Sequence, residues 1–359
     1  MCNHCRNPLY CIVPPIILDR IARNGNERQR DRALRTLSRD HSLRTARLHM
    51  AELRVVIRRG APTSGTLEQT CGNKRRTIYD AQNSETLPGV VVRPEGTDSG
   101  GDVAVDEAYD GLGATYDFFW ETFERDSIDD DGMPLEATVH FGEDYGNAFW
   151  NGVQMVFGDG DGELFNRFTS SLDVIGHELA HGVTEDEAGL IYWREPGALN
   201  ESMSDVFGSL VKQKKLGQTA EEADWLIGAE LLGPEVDGVA LRSMSAPGTA
   251  YDDDVLGKDP QPGHMDDFVN TLSDNGGVHI NSGIPNHAFY LAATALGSYA
   301  WERAGRIWYE ALRDPQLRPN ARFRAFARAT VTATSALYGP GGDEIKAVTH
   351  GWESVGIHI

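Results

Sequence analysis

The chain has 359 residues, 40% of them hydrophobic, with 54 acidic against 33 basic side chains and a formal net charge of −21. That length suffices for two packed domains and a short extra segment. The N-terminal apolar run Tyr10–Leu18, broken by Pro14 and Pro15, is too short to span a bilayer, and Met1-Cys2-Asn3-His4-Cys5-Arg6 lacks the charged head and sustained apolar core of a classical signal peptide.

In chain order, residues 1–60 hold 13 basic against 5 acidic side chains, leaving 20 against 49 for the remainder. The two parts should attract one another, and an acidic body on the same chain would compete with nucleic acid for the basic segment. Asn24–Arg47, with Ala33, Leu34, Leu37 and Leu43 among many arginines, reads as one or two amphipathic helices. Ahead of it, Pro14-Pro15 within Cys11–Leu18 should hold an extended backbone suited to a cleft. The small, polar stretch Gly60–Thr66 is the kind of linker a protease reaches, and a cut is expected between Arg58 and Gly72. Cysteines at positions 2, 5, 11 and 71 form no disulfide framework for the body. Free, reduced thiols are expected; the alternatives are a second zinc held by Cys2, His4, Cys5 and Cys11, or a Cys11 thiolate on a catalytic metal.

Strand-like runs follow at Thr77–Ala81, Val90–Arg93, Glu136–Phe141, Ala148–Gly152 and Gln154–Phe157, interrupted by a helix-like interval, Val105–Phe123. From Phe168 onward helical patterns dominate, including Glu201–Lys214, Ala220–Leu232, Pro285–Leu296 and Ala321–Tyr338. The expected fold is therefore α+β, a β-rich N-terminal lobe followed by an α-helical C-terminal lobe, with a cleft at the junction.

That junction carries His177-Glu178-Leu179-Ala180-His181. Two histidines four residues apart on a helix face can converge on one zinc ion, with the intervening glutamate beside it as general base. A catalytic zinc needs a third protein ligand, and Glu201 fits. Asp205 lies one helical turn later on the same expected helix.

Gly176–Thr184, Gly189-Leu190-Ile191-Tyr192, the Glu201 segment and Asp274–Asn286 together resemble the thermolysin family of metalloendopeptidases, from about Thr77 to the C-terminus. The nearest resemblance is to its protealysin-like branch, whose members carry short prosegments with a similar proline pair. The resemblance implies one catalytic Zn2+, Asp205 as the acceptor behind His177, Tyr192 and His279 as donors to an oxyanion, and Asp274 orienting His279. It further implies Asn147, Ala148 and Trp150 in a substrate-pairing edge strand, Arg242 on the carbonyl after the scissile bond, and Phe165, Val174, Ile227, Leu231 and Leu241 as pocket residues. Cleavage before bulky hydrophobic residues is then expected. Residues 1–60 become a basic inhibitory prosegment acting in cis and 61–76 a processing linker. Residues 77–185 form the N-terminal catalytic lobe with the zinc helix, and 186–359 the helical lobe. A monomer is expected, acting on peptides without nucleic-acid or membrane partners, and secreted by a route without a classical signal peptide or held in the cytoplasm as a latent precursor. The rival reading is an inactive binding protein on the same fold.

One departure stands out. Where the family places a double calcium site, only Asp173 and Asp224 remain, and Lys212, Leu226 and Ala229 replace acidic ligands. An ammonium in the cluster should preclude the double site. Gly158–Gly162 and Asp252-Asp253-Asp254 leave single Ca2+ sites possible.

Overall fold

The computed structural model describes residues 10–58 and 72–359. Cys71, three of the four residues of the alternative second zinc site (Cys2, His4 and Cys5), and the linker cut expected between Arg58 and Gly72 lie outside the described residues. Among the described residues no helix is long and apolar enough to cross a membrane.

A mixed six-stranded sheet organises the N-terminal half. Its strands are β1 (Tyr10–Cys11), β2 (Arg76–Asp80), β3 (Val90–Pro94), β4 (Leu135–Val139), β5 (Ala148–Trp150) and β6 (Met155–Phe157), in the spatial order β1-β5-β6-β4-β2-β3. β1 is the finding: the N-terminal segment adds an antiparallel strand to the edge of the sheet, Tyr10 opposite Trp150 and Cys11 opposite Phe149.

Two helices continue that segment, α1 (Pro15–Asn24) and α2 (Glu27–Arg58). The extended backbone expected through the proline pair ends at Pro14. Pro15 opens α1 at its first turn, where a missing N–H costs nothing. Asn26 and Gln29 cap α2 reciprocally, each side-chain oxygen accepting the other's backbone N–H at 3.0 Å. The apolar stripe expected for this helix forms in part: Leu34 is 53% exposed, but Ala33 is buried and Leu37 and Leu43 pack against the core, beside a buried polar face of Gln29, Arg32, Thr36 and Asp40. That face is polar because its counterpart is acidic. Arg32 reaches Asp144 at 3.0 Å and Asp161 at 3.5 Å, and Arg39 reaches Glu85 at 2.6 Å.

The remaining helices are α3 (Val103–Phe123), α4 (Leu172–Glu187), α5 (Arg194–Leu216), α6 (Asp274–Asn281), α7 (Gly283–Leu296), α8 (Arg306–Leu312), α9 (Phe323–Tyr338) and α10 (Asp343–Ser354). The α+β expectation holds, with α4 at the junction. The helix expected over Ala220–Leu232 does not form. Trp225 takes a left-handed backbone there, and a two-residue strand, Leu226–Ile227, precedes a short turn of helix at Ala229–Leu231. Tertiary pairing of Leu226–Ile227 with Arg242–Ser243 overrides the local pattern. α4 and α5 cross closely because Gly176 faces the Gly208 Cα, and a Cβ on Gly208 would fall 2.3 Å from the Asp173 carbonyl.

α3 is capped by Asp102, whose Oδ1 accepts the N–H groups of Ala104 and Val105. Its Oδ2 lies 3.1 Å from His140 Nε2, and His140 Nδ1 lies 2.9 Å from Asp159. Hydrogen bonding to Asp159, opposed by partial burial and aided by Asp102, pushes His140 up to about 9. A folded value above the ordinary one of 6.5 means that this stabilisation is complete below about pH 6.5 and lost as pH rises through about 9. We expect the thermal stability that wild type holds over His140→Gln at about pH 6 to shrink toward zero at about pH 10, as read by thermal unfolding at both values.

Candidate active site and metal centre

α4 and α5 bring three donors together. His177 Nε2 and His181 Nε2 are 3.0 Å apart, and each lies 3.5 Å from an oxygen of Glu201. All three residues are buried and their donor atoms lie within 4.8 Å of one another, the one such group among the described residues. The ring orientations are set from behind. His177 Nδ1 is 2.8 Å from Asp205 Oδ1, while His181 Nδ1 is 2.6 Å from Asn200 Oδ1 and 2.9 Å from Ser204 Oγ. With Nδ1 donating, the two Nε2 lone pairs face each other, an arrangement that a cation between them relieves. Burial, then the neighbouring His177, holds His181 well below the usual imidazole range, so it stays a neutral ligand. Glu201 Oε2 is a buried acceptor with no hydrogen-bond donor, again pointing to a cation. The residues therefore fit zinc, whose Zn–N bonds of about 2.0–2.1 Å span such a gap.

Around the triad, Glu178 Oε2 accepts the Trp150 N–H at 3.0 Å. Tyr192 donates its hydroxyl to Glu201 and lies 3.3 Å from His279 Nε2. Burial, then the Glu201 charge, raises the Tyr192 phenol well above its ordinary value, so it remains a donor. His279 Nδ1 meets Asp274 Oδ1 at 2.6 Å, and Asp274 Oδ2 also accepts the His279 backbone N–H. Burial opposes charge on His279, but Asp274 and then Glu201 outweigh it and raise its pKa. The bend that aims this pair uses left-handed backbone at Asn275, Gly276 and Gly277; a Cβ on Gly276 would press on the Arg194 side chain at 2.6 Å.

Arg242 donates through Nε and Nη2 to Asp205, at 2.9 and 2.8 Å, and Asn286 Nδ2 donates to the same carboxylate at 2.8 Å. Burial of Asp205 is overcome by Arg242 and His177, which hold its carboxyl well below the usual range.

The N-terminal segment lies across this site. Ile12 N–H donates to the Ala148 carbonyl at 3.2 Å, and Arg242 Nη1 donates to the Ile12 carbonyl at 3.3 Å. Asn147 accepts the Val13 N–H at 3.0 Å and returns an amide to the Val13 carbonyl at 3.3 Å. The Cys11 carbonyl lies 3.3 Å from His279 Nε2, and Tyr10 stacks on His181 with ring centres 4.1 Å apart. The Cys11 side chain packs instead with Ala81, Phe141, Tyr145, Phe149 and Val156, which corrects the alternative of a thiolate on the metal.

Val174, Ile227, Leu231 and Leu241 are buried in the main core, and Phe165 lines a small void with Leu18, Ile21 and Ala33. Trp150 stands in the edge strand opposite Tyr10, with its side chain buried and its N–H donated to Glu178. Sequence reading missed Asn200 and Ser204, although their four-residue spacing on α5 signals a shared face. It also missed Asp40 and Tyr145: Tyr145 donates to Asp40 at 2.5 Å, and Asp40 accepts the Asn147 amide at 3.0 Å. Those contacts span more than a hundred residues and leave no local pattern.

At the N-terminal end of α4, Lys212 Nζ sits 2.8 Å from Asp173, 3.2 Å from Asp224 and 3.1 Å from the Leu226 carbonyl. Burial opposes its charge, and Asp173 restores it. Both acidic loops serve their own backbone. Asp161 Oδ1 accepts three successive N–H groups from Glu163 to Phe165, and Asp253 accepts those of Val255 and Leu256.

A buried histidine and glutamate triad on two crossing helices, with a glutamate beside it, defines a metallopeptidase. The family model described as thermolysin metallopeptidase, catalytic domain, matches residues 64–185, and that for the alpha-helical domain of the same family matches 188–357. The chain belongs to the thermolysin family of metallopeptidases. Residues 10–44 match the protealysin propeptide. The chain is 55% identical to an extracellular metalloprotease of Pectobacterium carotovorum subsp. carotovorum, over 98% of this chain and 97% of that protein. It is 51% identical to protease PrtS of Photorhabdus sp. (strain Az29), over 97% and 92%. Its structure is similar to that of the precursor of protealysin, a metalloproteinase from Serratia proteamaculans, with a TM-score of 0.87 at 55% identity, covering 97% of this chain and 99% of that one.

Replacing Asp205 by Ala frees the His177 ring and strands the buried Arg242 charge. We expect zinc affinity to fall about 10–100-fold, measured by chelator competition. Folding stability should fall by about 3–5 kcal/mol, measured by denaturant unfolding.

Proposed function

We propose that this chain is the self-inhibited precursor of a zinc-dependent endopeptidase that hydrolyses peptide bonds on the N-terminal side of bulky hydrophobic residues. The observation that carries this reading is that Ala148, Asn147, Arg242 and His279 all grip main-chain atoms of one peptide segment beside the His177, His181 and Glu201 donors.

In this reading His177, His181 and Glu201 hold the zinc, which supplies Lewis acidity toward water and the scissile carbonyl. Glu178, held by the Trp150 N–H, takes the water proton and passes it to the leaving nitrogen. His279, oriented by Asp274, and Tyr192 donate to the developing oxyanion. Asn147, Ala148 and Arg242 fix the substrate backbone as an added strand. Val174, Ile227, Leu231 and Leu241, with Phe165 toward one side, make the site apolar for the residue after the cut. The inhibitory role of residues 1–60 follows from charge complementarity and from occupancy of the cleft by Tyr10–Val13. Removal by a cut between Arg58 and Gly72 would open the site. Two relatives named as extracellular proteases favour action outside the cell.

Glu178→Gln should bind zinc as wild type does and lose turnover of a blocked hydrophobic peptide. His279→Ala should lower kcat about 10²–10³-fold with little change in KM. Zinc content and steady-state kinetics on processed enzyme check both, and full activity in Glu178→Gln would sink the assignment.

Lys212 takes the place of a bound divalent ion. A calcium chelator that spares zinc should therefore leave the melting temperature unchanged. Lys212→Met, which strands the buried Asp173, should cost about 3 kcal/mol by denaturant unfolding.

A further inference from the structure

We propose that the Cys11–Ile12 peptide bond is itself a cleavage site, cut in cis by the active site it covers. This rests on the endopeptidase reading above and adds a processing site inside the N-terminal segment, distinct from the linker between Arg58 and Gly72.

The register argues for it. A substrate bound for hydrolysis presents the carbonyl before the scissile bond to the oxyanion donors and the N–H after it to the edge strand. The next carbonyl goes to the arginine, and the following residue to the asparagine. Tyr10–Val13 meets each requirement in order: Cys11 carbonyl at His279, Ile12 N–H to Ala148, Ile12 carbonyl from Arg242, and Val13 paired both ways with Asn147. The strand runs antiparallel to β5, as an added substrate strand does. Ile12, completely buried, is the bulky hydrophobic residue expected just after the cut.

Anchors outside the cleft hold this register. Arg20 donates to the Leu256 and Lys258 carbonyls, Asn24 to the Val255 carbonyl, and Asp40 accepts the Asn147 amide. The bond is thus presented at the high effective concentration of an intramolecular substrate. Glu178 removes a proton from water, whose oxygen bonds to the Cys11 carbonyl carbon. The C–N bond to Ile12 breaks, and the nitrogen takes the proton that Glu178 held. The products are a carboxylate at Cys11 and an amino terminus at Ile12.

Zinc-loaded full chain, followed by intact-mass and terminal-peptide mass spectrometry, should yield a new amino terminus at Ile12 at a rate independent of protein concentration. Glu178→Gln should yield none, and Ile12→Asp should slow this cut at least 100-fold. A readout free of turnover uses metal-free Glu178→Gln: the Ile12 and Val13 amides should be protected from hydrogen exchange, and Ile12→Asp should lose that protection. If the chain hydrolyses a blocked peptide after processing yet releases its N-terminal segment uncut at Cys11–Ile12, the inference is overturned while the endopeptidase reading stands. Rapid exchange of both amides also overturns it. If neither the blocked peptide nor the chain is cut, both fall.

Discussion

A single buried carboxylate, Asp205, ties the site together. It takes a hydrogen bond from His177 on the neighbouring helix, two from Arg242 and one from Asn286, with no contact to water. A lone charge so deeply buried would be untenable, and the Arg242 guanidinium, aided by His177, offsets that cost. The consequence is mechanical. The same carboxylate that turns His177 toward the metal position also aims Arg242 at the peptide carbonyl of Ile12. The proposed metal ligand His177 and the proposed substrate-binding Arg242 thus share one anchor, which favours a fixed geometry.

The helix carrying both histidines is pinned at each end by a buried cation. Lys212 holds Asp173 in its first turn. Arg125, fully buried, holds Asp186 at 2.7 Å and also Glu187, at the end where helix carbonyls already concentrate negative charge. Acidic side chains at a helix C-terminus are unfavourable alone, and the guanidinium reverses the sign of that interaction.

The N-terminal segment divides its binding between two kinds of contact. Exposed ion pairs such as Arg28 with Glu163 are worth about 0–1 kcal/mol each and mainly supply orientation. Burial of Tyr10, Ile12, Val13, Ile17, Leu18 and Ile21 supplies the larger share, about 1.5–3 kcal/mol for each fully buried large apolar side chain. Because α1 touches Val255–Lys258 and α2 touches Glu85 and Asp144–Glu163, the segment bridges both sides of the cleft that Tyr10–Val13 fill.

The sequence by itself determined the elements whose physics is local. The strands about Arg76–Asp80 and Ala148–Trp150 follow from period-two patterning, and α3 and α4 from helical periodicity. The convergence of His177, His181 and Glu201 follows from spacing on helices that must pack together. The opposite charges of the first sixty residues and the body also announced their association. What only the tertiary structure decided were features set by contacts distant in sequence. Leu226–Ile227 left the helical state because a strand partner was available at Arg242–Ser243. The buried face of α2 carries Arg32 beside the expected Ala33 and Leu37 because the surface beneath it is acidic, and no apolar pattern signals such a position. Asp40 met Asn147, and Cys11 packed among Phe141, Tyr145 and Phe149, only when β1 joined the sheet. Side chains alternate across a strand, so it was that pairing register that put the Cys11 carbonyl, and not its sulfur, at His279.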